Sequence, residues 1–347
     1  MMGKTELSIV MPVFNKAEMV SEMIDSIQAN DYHDWELVIV DDGSTEDTIA
    51  CLTRYVQRDS RIRLVRRERQ PKGAPTCRNI GFEQAHGDYV IFFDSDDYIT
   101  PSCLSTRVDA IKQHPDADFL VFPSVQYKGG RMEYGSAERA YGYQVFKDDI
   151  SAFTRKTLPF VVCNNIYRRN ALLEHHIVWD TQLRSLQDSD FNMQCLLAGM
   201  RYEYVLTKPD YGYRIETNDN SITKRISTIE HLKSHVYALD KIYNLVQQKY
   251  RHRYDWDLFL GVLFIFQMVF VDELNVAIAK EMQLVVRSHN TFHGMIFALM
   301  LACMRMLNCI MPCLWARKLS MSLYLIWLGR EMKNSEKARL EAMSGIE

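Results

Sequence analysis

The first third of the chain alternates short apolar runs with stretches of helical spacing. The runs are "LSIVMPVF", "WELVIVDD", "RIRLVRR", "DYVIFFD" and "DFLVFPS", each the length of one strand. Between them, residues Ala17 to Gln28, Asp47 to Gln57 and Pro101 to Gln113 repeat apolar positions every three or four residues. Near-continuous apolar strands separated by amphipathic helices predict βαβ units and a mostly parallel sheet covered on both faces. The first strand is expected over Leu7 to Val13, where the apolar stretch is too short for a secretory leader and no small-residue cleavage site follows.

Two of the runs end abruptly in acids: "ELVIVDDGSTEDT", residues 36–48, and "DYVIFFDSDDY", residues 88–98. Open parallel sheets bind ligands beyond the carboxyl ends of their strands, so both clusters are expected to face one crevice. Carboxylates this close repel one another unless a cation or hydrogen-bond donors lie between them.

The pattern loosens from Ser124 to Lys147 into a Gly- and Tyr-rich loop and hairpin. After it, "NNIYRRNALLEHH" and "QDSDFNMQCLLAG" have helical periodicity, "RYEYVLT" and "DYGYRIE" read as strands, and "ETNDNSITKR" reads as a polar, turn-rich mobile loop. Beyond about Ser227 the spacing is helical throughout. That divides the chain into residues 1–227 and a helical region, 228–347. In that region "LFLGVLFIFQMVFV" (258–271) is shorter than the roughly 20 apolar residues of a membrane span. "GMIFALMLACMRMLNCIMPCLWARK" (294–318) is long enough but is interrupted by Arg305, Asn308 and Pro312. From 301 to 340, seven Arg and Lys stand against Glu331 and Glu336. Apolar surface beside positive charge fits a helix lying on an anionic membrane. A helical packing domain with solvated charges fits the same pattern, and both readings stay open.

Composition narrows the class. A chain that is 47% hydrophobic and 24% charged is a typical soluble globular protein. A net charge of −3 offers no basic surface for nucleic acid. Eight scattered cysteines (Cys51, Cys77, Cys103, Cys163, Cys195, Cys303, Cys309 and Cys313) form no C-x-x-C pair and read as buried, reduced thiols of a cytosolic protein. His175 and His176 have no partner at metal-ligand spacing and read as ordinary surface or core residues.

In "DDGST", Gly43 permits a tight turn, and Ser44 with Asp47 has the form of a capping box opening the next helix. Asp41 and Asp42 are left over. An ionised carboxylate only accepts hydrogen bonds, so it suits a base with a ring N–H, as uracil has at N3 where cytosine has an acceptor. Guanine also carries a ring N–H, and two acids capping a turn are the bland alternative. In "FFDSDDY", Asp94, Asp96 and Asp97 lie within four positions. That grouping suits Mg²⁺ or Mn²⁺ held by one or two carboxylates plus substrate phosphates. Such an ion takes up charge on a departing diphosphate.

Taken in order, "IVMPVFNKAEMVSEMIDSIQANDYHDWELVIVDDGSTEDT", "GAPTCRNIGFEQAHGDYVIFFDSDD", "NNIYRRNALLEHHIVWD", "QDSDF" and "YGYRIETNDNSIT" resemble the family 2 inverting glycosyltransferases over roughly residues 6–225. The resemblance implies the GT-A fold: an α/β, Rossmann-like domain with a nucleotide-binding half (about 1–123) and an acceptor half (about 124–227). It implies a nucleoside-diphosphate sugar donor, a divalent metal and inversion at the anomeric carbon. By position it places Pro12, Phe14 and Asn15 against the nucleotide, and Asp42 on the base with Asp41 beside it. Arg78 approaches the base or pyrophosphate, where a permanent cation helps. Asp94, Ser95 and Asp96 form the D-x-D, with Asp96 and Asp97 reaching ribose or metal, and Arg214 contacts the diphosphate.

The resemblance also makes Asp188 the base that deprotonates the acceptor hydroxyl. Gln187 stands where glutamate is usual, which removes a charge that would raise its neighbour's pKa. Asp190 is the runner-up base. Tyr211 and Tyr213 are expected simply to pack, and the loop after Arg214 to close over the donor and exclude water.

The expectation is a cytoplasmic enzyme, at the inner membrane face if its C-terminal helices dock there. It moves a sugar from a UDP-sugar to a glycan or lipid-linked acceptor in cell-surface polysaccharide assembly. A nucleotidyltransferase would want a Gly-rich first loop, and "MPVFNKAEM" has no glycine. A non-catalytic nucleotide-sugar binder or assembly scaffold is the remaining alternative, which Gln187 leaves open.

Overall fold

The structure, a computed structural model, describes residues 5–136, 140–146, 148–214, 228–269, 276–310 and 336–344. Strands β1 (Leu7–Val13), β2 (Trp35–Asp41), β3 (Ile62–Arg66) and β4 (Tyr89–Phe92) are parallel neighbours in the order β4-β1-β2-β3. Every residue of β1 and β2 is buried, because helices cover both faces of the sheet. Helix α1 (Ala17–Gln28) spans the expected residues and buries Val20, Met23, Ile24 and Ile27 on one stripe. Helix α2 (Glu46–Arg58) runs one residue beyond expectation at each end. Helix α3 (Ala74–Glu83) lies close enough to β1 that a Cβ on Gly81 would sit 2.4 Å from Val10 Cγ1. Glycine there sets how near the helix approaches.

After the short β5 (Tyr98–Ile99) come α4 (Cys103–Gln113), β6 (Phe119–Val121) and the hairpin of β7 (Ser124–Lys128) and β8 (Arg131–Met132). Helix α5 (Asp149–Thr154) precedes β9 (Asn165–Arg168), which is a correction: "NNIYRRNALLEHH" is not one helix. Its first part is a four-residue strand, paired antiparallel with both β4 and β6, and only α6 (Arg169–Glu174) is helical. Two flanking strands satisfy backbone groups that a helix would have satisfied internally. Helix α7 (Gln187–Ala198), β10 (Tyr202–Tyr204) and β11 (Tyr211–Arg214) complete the two sheets, ordered β10-β6-β9-β4-β1-β2-β3 and β5-β11-β7-β8.

Helices α8 (Ile229–Tyr250), α9 (Asp255–Val269), α10 (Val276–His289) and α11 (Thr291–Ile310) follow. One apolar cluster runs from Val10, Phe92 and Phe191 through Leu239 and Tyr243 to Val262, Met282 and Phe297. The C-terminal helices therefore share a core with one face of the main sheet. Leu258, Phe259, Val262 and Phe266 of the first long apolar run are buried in that core. Helix α11 instead exposes Phe292, Met295, Leu299 and Met306 at helical spacing. Among the described residues no helix is long and apolar enough to cross a membrane. Residues 311–335 and the expected loop at 216–225 lie outside the described residues. Cys51, Cys77, Cys103, Cys163 and Cys195 are buried free thiols as expected, whereas Cys303, on the outward face of α11, is free but exposed.

Candidate active site

Two consecutive residues after β1 join the two acid clusters. Asn15 takes a left-handed conformation (φ 52°). Its N–H donates to Ser44 Oγ (3.0 Å) and its Oδ1 accepts from the Thr45 N–H (2.8 Å). Lys16 Nζ lies 3.0 Å from Asp96 Oδ2. The acids ending β2 and β4 thus face one crevice at the carboxyl ends of the strands.

Each acid on this wall has its own partner. Asp41, buried, accepts the N–H groups of Gly43 (3.1 Å) and Ser44 (3.0 Å) and so closes the turn, which Gly43 completes at φ 87°. This corrects the capping box: the N-cap of α2 is Thr45, without a side-chain cap bond, and Ser44 serves Asn15. Asp42 pairs with Arg67 (Nε–Oδ1 2.5 Å) and accepts the Gly73 N–H. Asp94 receives Arg78 Nη2 at 2.5 Å. Ser95 is buried between the acids. Asp97 turns inward, where its oxygens accept the Tyr211 hydroxyl and the Arg214 N–H (2.7 Å). Burial, then the charges of Asp96 and Asp94, push its carboxyl well above the usual range.

The opposite wall is the start of α7, and Arg78 reaches it. This buried guanidinium lies over the Trp179 ring (4.4 Å to the centroid) and donates from Nη1 to Gln187 Oε1 (3.2 Å) while Nη2 holds Asp94. Gln187 Nε2 donates in turn to the Leu183 carbonyl (3.2 Å), so its amide is held at both ends. Next to it, Asp188 makes no hydrogen bond to any described residue. Burial pushes its carboxyl up to about 6; the Asp94 charge adds to the rise and the Arg78 charge opposes it. Two residues on, Asp190 is buried against Lys241 of α8 (2.8 Å) and Gln194 (2.8 Å). It is a brace between helices, turned from the crevice.

The remaining expected residues are placed less uniformly. Pro12 is buried in β1 opposite Val40. Phe14 is 41% exposed, with Lys72 Nζ 3.4 Å from its ring centroid. Arg214 donates to the Asp96 carbonyl and pairs with Glu22, over the Tyr127 ring. Sequence reasoning missed Lys16, Glu22, Arg67 and Tyr127. It gave Tyr211 only packing, yet that side chain also holds Asp97 and accepts the Asp94 N–H (3.4 Å). Among the described residues no three metal-ligating side chains converge. Asp94 and Asp96 do supply the hard oxygen donors suited to an ion that draws its other ligands from phosphate and water.

A mostly parallel sheet with acids gathered at its strand ends, faced by a helix that presents a further carboxylate, is the arrangement expected of a GT-A glycosyltransferase. The sequence agrees: residues 8–177 match the family model for Glycosyl transferase family 2, and the chain belongs to that family. It is 25% identical over 245 residues to the uncharacterized glycosyltransferase EpsJ of Bacillus subtilis (strain 168), covering 69% of this chain and 70% of that one. It is also 25% identical over 247 residues to the poly(ribitol-phosphate) beta-N-acetylglucosaminyltransferase TarS of Staphylococcus aureus (strain MW2), covering 70% of this chain but only 39% of TarS. The crystal structure of S. aureus TarS 1-349 in complex with UDP-GlcNAc superposes with a TM-score of 0.61 at 19% identity, over 98% of this chain and 92% of that one. The mannosyltransferase PcManGT from Pyrobaculum calidifontis, in complex with GDP-Man and Mn²⁺, superposes at 0.52 with 18% identity, over 86% and 87%.

Proposed function

We propose that the protein transfers a sugar, with inversion, from a UDP-sugar to a glycan or lipid-linked acceptor in the assembly of a cell-surface polysaccharide, on the cytoplasmic side of the membrane. The observation that carries this is Arg78, whose one guanidinium touches Asp94 on the strand-end wall and Gln187, the neighbour of Asp188, on the other. A donor diphosphate at the strand ends and a base on the facing helix are the two sides an in-line displacement needs.

In this reading Asp188 accepts the proton of the acceptor hydroxyl as its oxygen bonds to the anomeric carbon. The bond from that carbon to the diphosphate breaks on the opposite face. A carboxyl with its pKa near 6 is largely ionised at neutral pH and more basic than an ordinary aspartate. Arg78 holds a fixed positive charge where the diphosphate departs. Of the two residues expected to reach metal, Asp97 has both oxygens engaged, so Asp96 with Asp94 would hold Mg²⁺ or Mn²⁺. Bound there with diphosphate oxygens, the ion would neutralise the leaving group's charge. Asp42 takes the uracil N3–H. The exposed face of α11 would rest on the membrane near a lipid-linked acceptor.

The relatives support this choice of donor and acceptor. TarS is crystallised with UDP and with UDP-GlcNAc and is named for a poly(ribitol-phosphate) acceptor, and PcManGT is crystallised with Mn²⁺. The test is UDP release from a panel of UDP-sugars, with and without Mg²⁺ or Mn²⁺, followed by transfer to candidate glycan acceptors. Metal-dependent UDP release from one of them supports the reading; release from none, beside release from a GDP-sugar, overturns the donor assignment.

A further inference from the structure

We infer that Trp179 is a positioning residue: its indole face seats the Arg78 guanidinium between the two walls of the crevice. This rests on the reading of Arg78 as the cation beside the departing diphosphate.

Arg78 and Asn79 are neighbours on α3, and both engage Trp179. The guanidinium carbon of Arg78 stands 4.4 Å from the ring centroid. Asn79 clamps the backbone of the same residue: its Nδ2 donates to the Trp179 carbonyl (2.8 Å) and its Oδ1 accepts the Trp179 N–H (2.9 Å). The next residue, Asp180, ties the segment to α8 through Lys241 (2.7 Å) and the Tyr237 hydroxyl (2.9 Å). The indole also stacks on Phe191 of α7, with centroids 4.3 Å apart and 24° between the planes, and meets Phe92 of β4 edge-on at 5.4 Å. The ring is therefore fixed against α3, which carries Arg78, against β4, which leads into Asp94, and against α7, which opens with Gln187 and Asp188.

The guanidinium uses such a seat. Its Nη1 is held by Gln187 and its Nη2 by Asp94, so hydrogen bonds fix the two tips of the fork while the ring supports its body. A cation this buried gives up much of its water, and the negative face of an aromatic ring returns part of that loss, most strongly for tryptophan. Packing alone would not call for an indole here. Trp179 Nε1 is buried without a hydrogen-bond partner among the described residues, a cost that phenylalanine in the same aromatic cluster would avoid.

The experiment places a tryptophan fluorinated on its benzo ring at position 179 by nonsense suppression. This keeps the side chain's shape and the fold while draining the ring face that attracts the cation. Calorimetric titration with UDP and with uridine then separates the diphosphate from the nucleoside. The fluorinated protein is expected to bind UDP about two- to thirtyfold more weakly and uridine as wild type does. Trp179→Phe should fall between the two. In an Arg78→Ala background, fluorination should change UDP affinity no further. Wild-type UDP affinity in the fluorinated protein, beside a loss in Arg78→Ala, overturns the role of Trp179 and leaves that of Arg78 standing. Equal losses for UDP and uridine, or a fluorination effect that persists without Arg78, overturn it as well. An Arg78→Ala protein that binds UDP as wild type does overturns the reading of Arg78 and the proposal with it.

Discussion

The two walls of the crevice treat their carboxylates in opposite ways. On the strand-end wall every acid is engaged: Asp41 by turn N–H groups, Asp42 by Arg67, Asp94 by Arg78, Asp96 by Lys16 and Asp97 by Tyr211 and Arg214. On the α7 wall Asp190 is engaged by Lys241, but Asp188 makes no hydrogen bond to a described residue and carries a raised pKa. Partners let several acids share one small volume despite their repulsion, and they fix where each oxygen points. A carboxylate left without a partner in a half-buried place gains basicity instead. In the proposed reading the first wall binds the donor and the second takes a proton.

Substitutions can break that contrast, and the largest effect is expected at Asp188. Asp188→Asn should lower turnover about 10²–10⁴-fold, the scale of a lost general base, and leave UDP affinity nearly unchanged in titration. Next come the acids proposed to hold the metal and diphosphate. Asp94→Asn and Asp96→Asn should each remove the Mg²⁺ or Mn²⁺ enhancement of UDP binding, whereas Asp97→Asn, at an inward-facing residue, should lower thermal stability and keep the enhancement. Asp42→Ala should weaken UDP binding by about 1.5–3 kcal/mol, measured by calorimetry. Equal losses for UDP and CDP would show that the acid does not read the base.

Asp190→Asn should cost about 1–3 kcal/mol in urea unfolding by weakening the pair with Lys241, and leave turnover close to wild type. A dead Asp190 variant with normal stability would move the base two residues along α7. The smallest effect is expected from Gln187→Glu. It keeps an acceptor for Arg78, loses the donor to the Leu183 carbonyl and places a second negative charge beside Asp188. The acid limb of the rate profile should move upward by about one pH unit or less.

The strands and the placement of the acids were legible because a parallel sheet buried on both faces writes itself as apolar runs, and its binding edge follows from chain direction. Strand β9 was not legible. Four residues that pair on both sides owe their conformation to β4 and β6, and the local sequence offers Arg168 and Arg169 running on into a helix. The capping box failed because Asn15, 29 residues earlier, takes Ser44. The partners of the acids escaped for the same reason. Arg67 lies 25 residues from Asp42, Gln187 lies 109 from Arg78 and Tyr211 lies 114 from Asp97, so no local spacing signals them.

The central claim, that Asp188 is the base and owes its basicity to a half-buried position without a hydrogen-bond partner among the described residues, is tested most directly by the pH dependence of kcat/KM for the wild-type enzyme. The base works only when ionised. With its pKa raised to about 6, kcat/KM should be flat above pH 7 and fall below an acid limb centred near 6. That limb should move upward in Gln187→Glu and disappear from the residual activity of Asp188→Asn. A profile flat from pH 5 to 7.5, or an acid limb near 6 that persists in Asp188→Asn, would contradict the account.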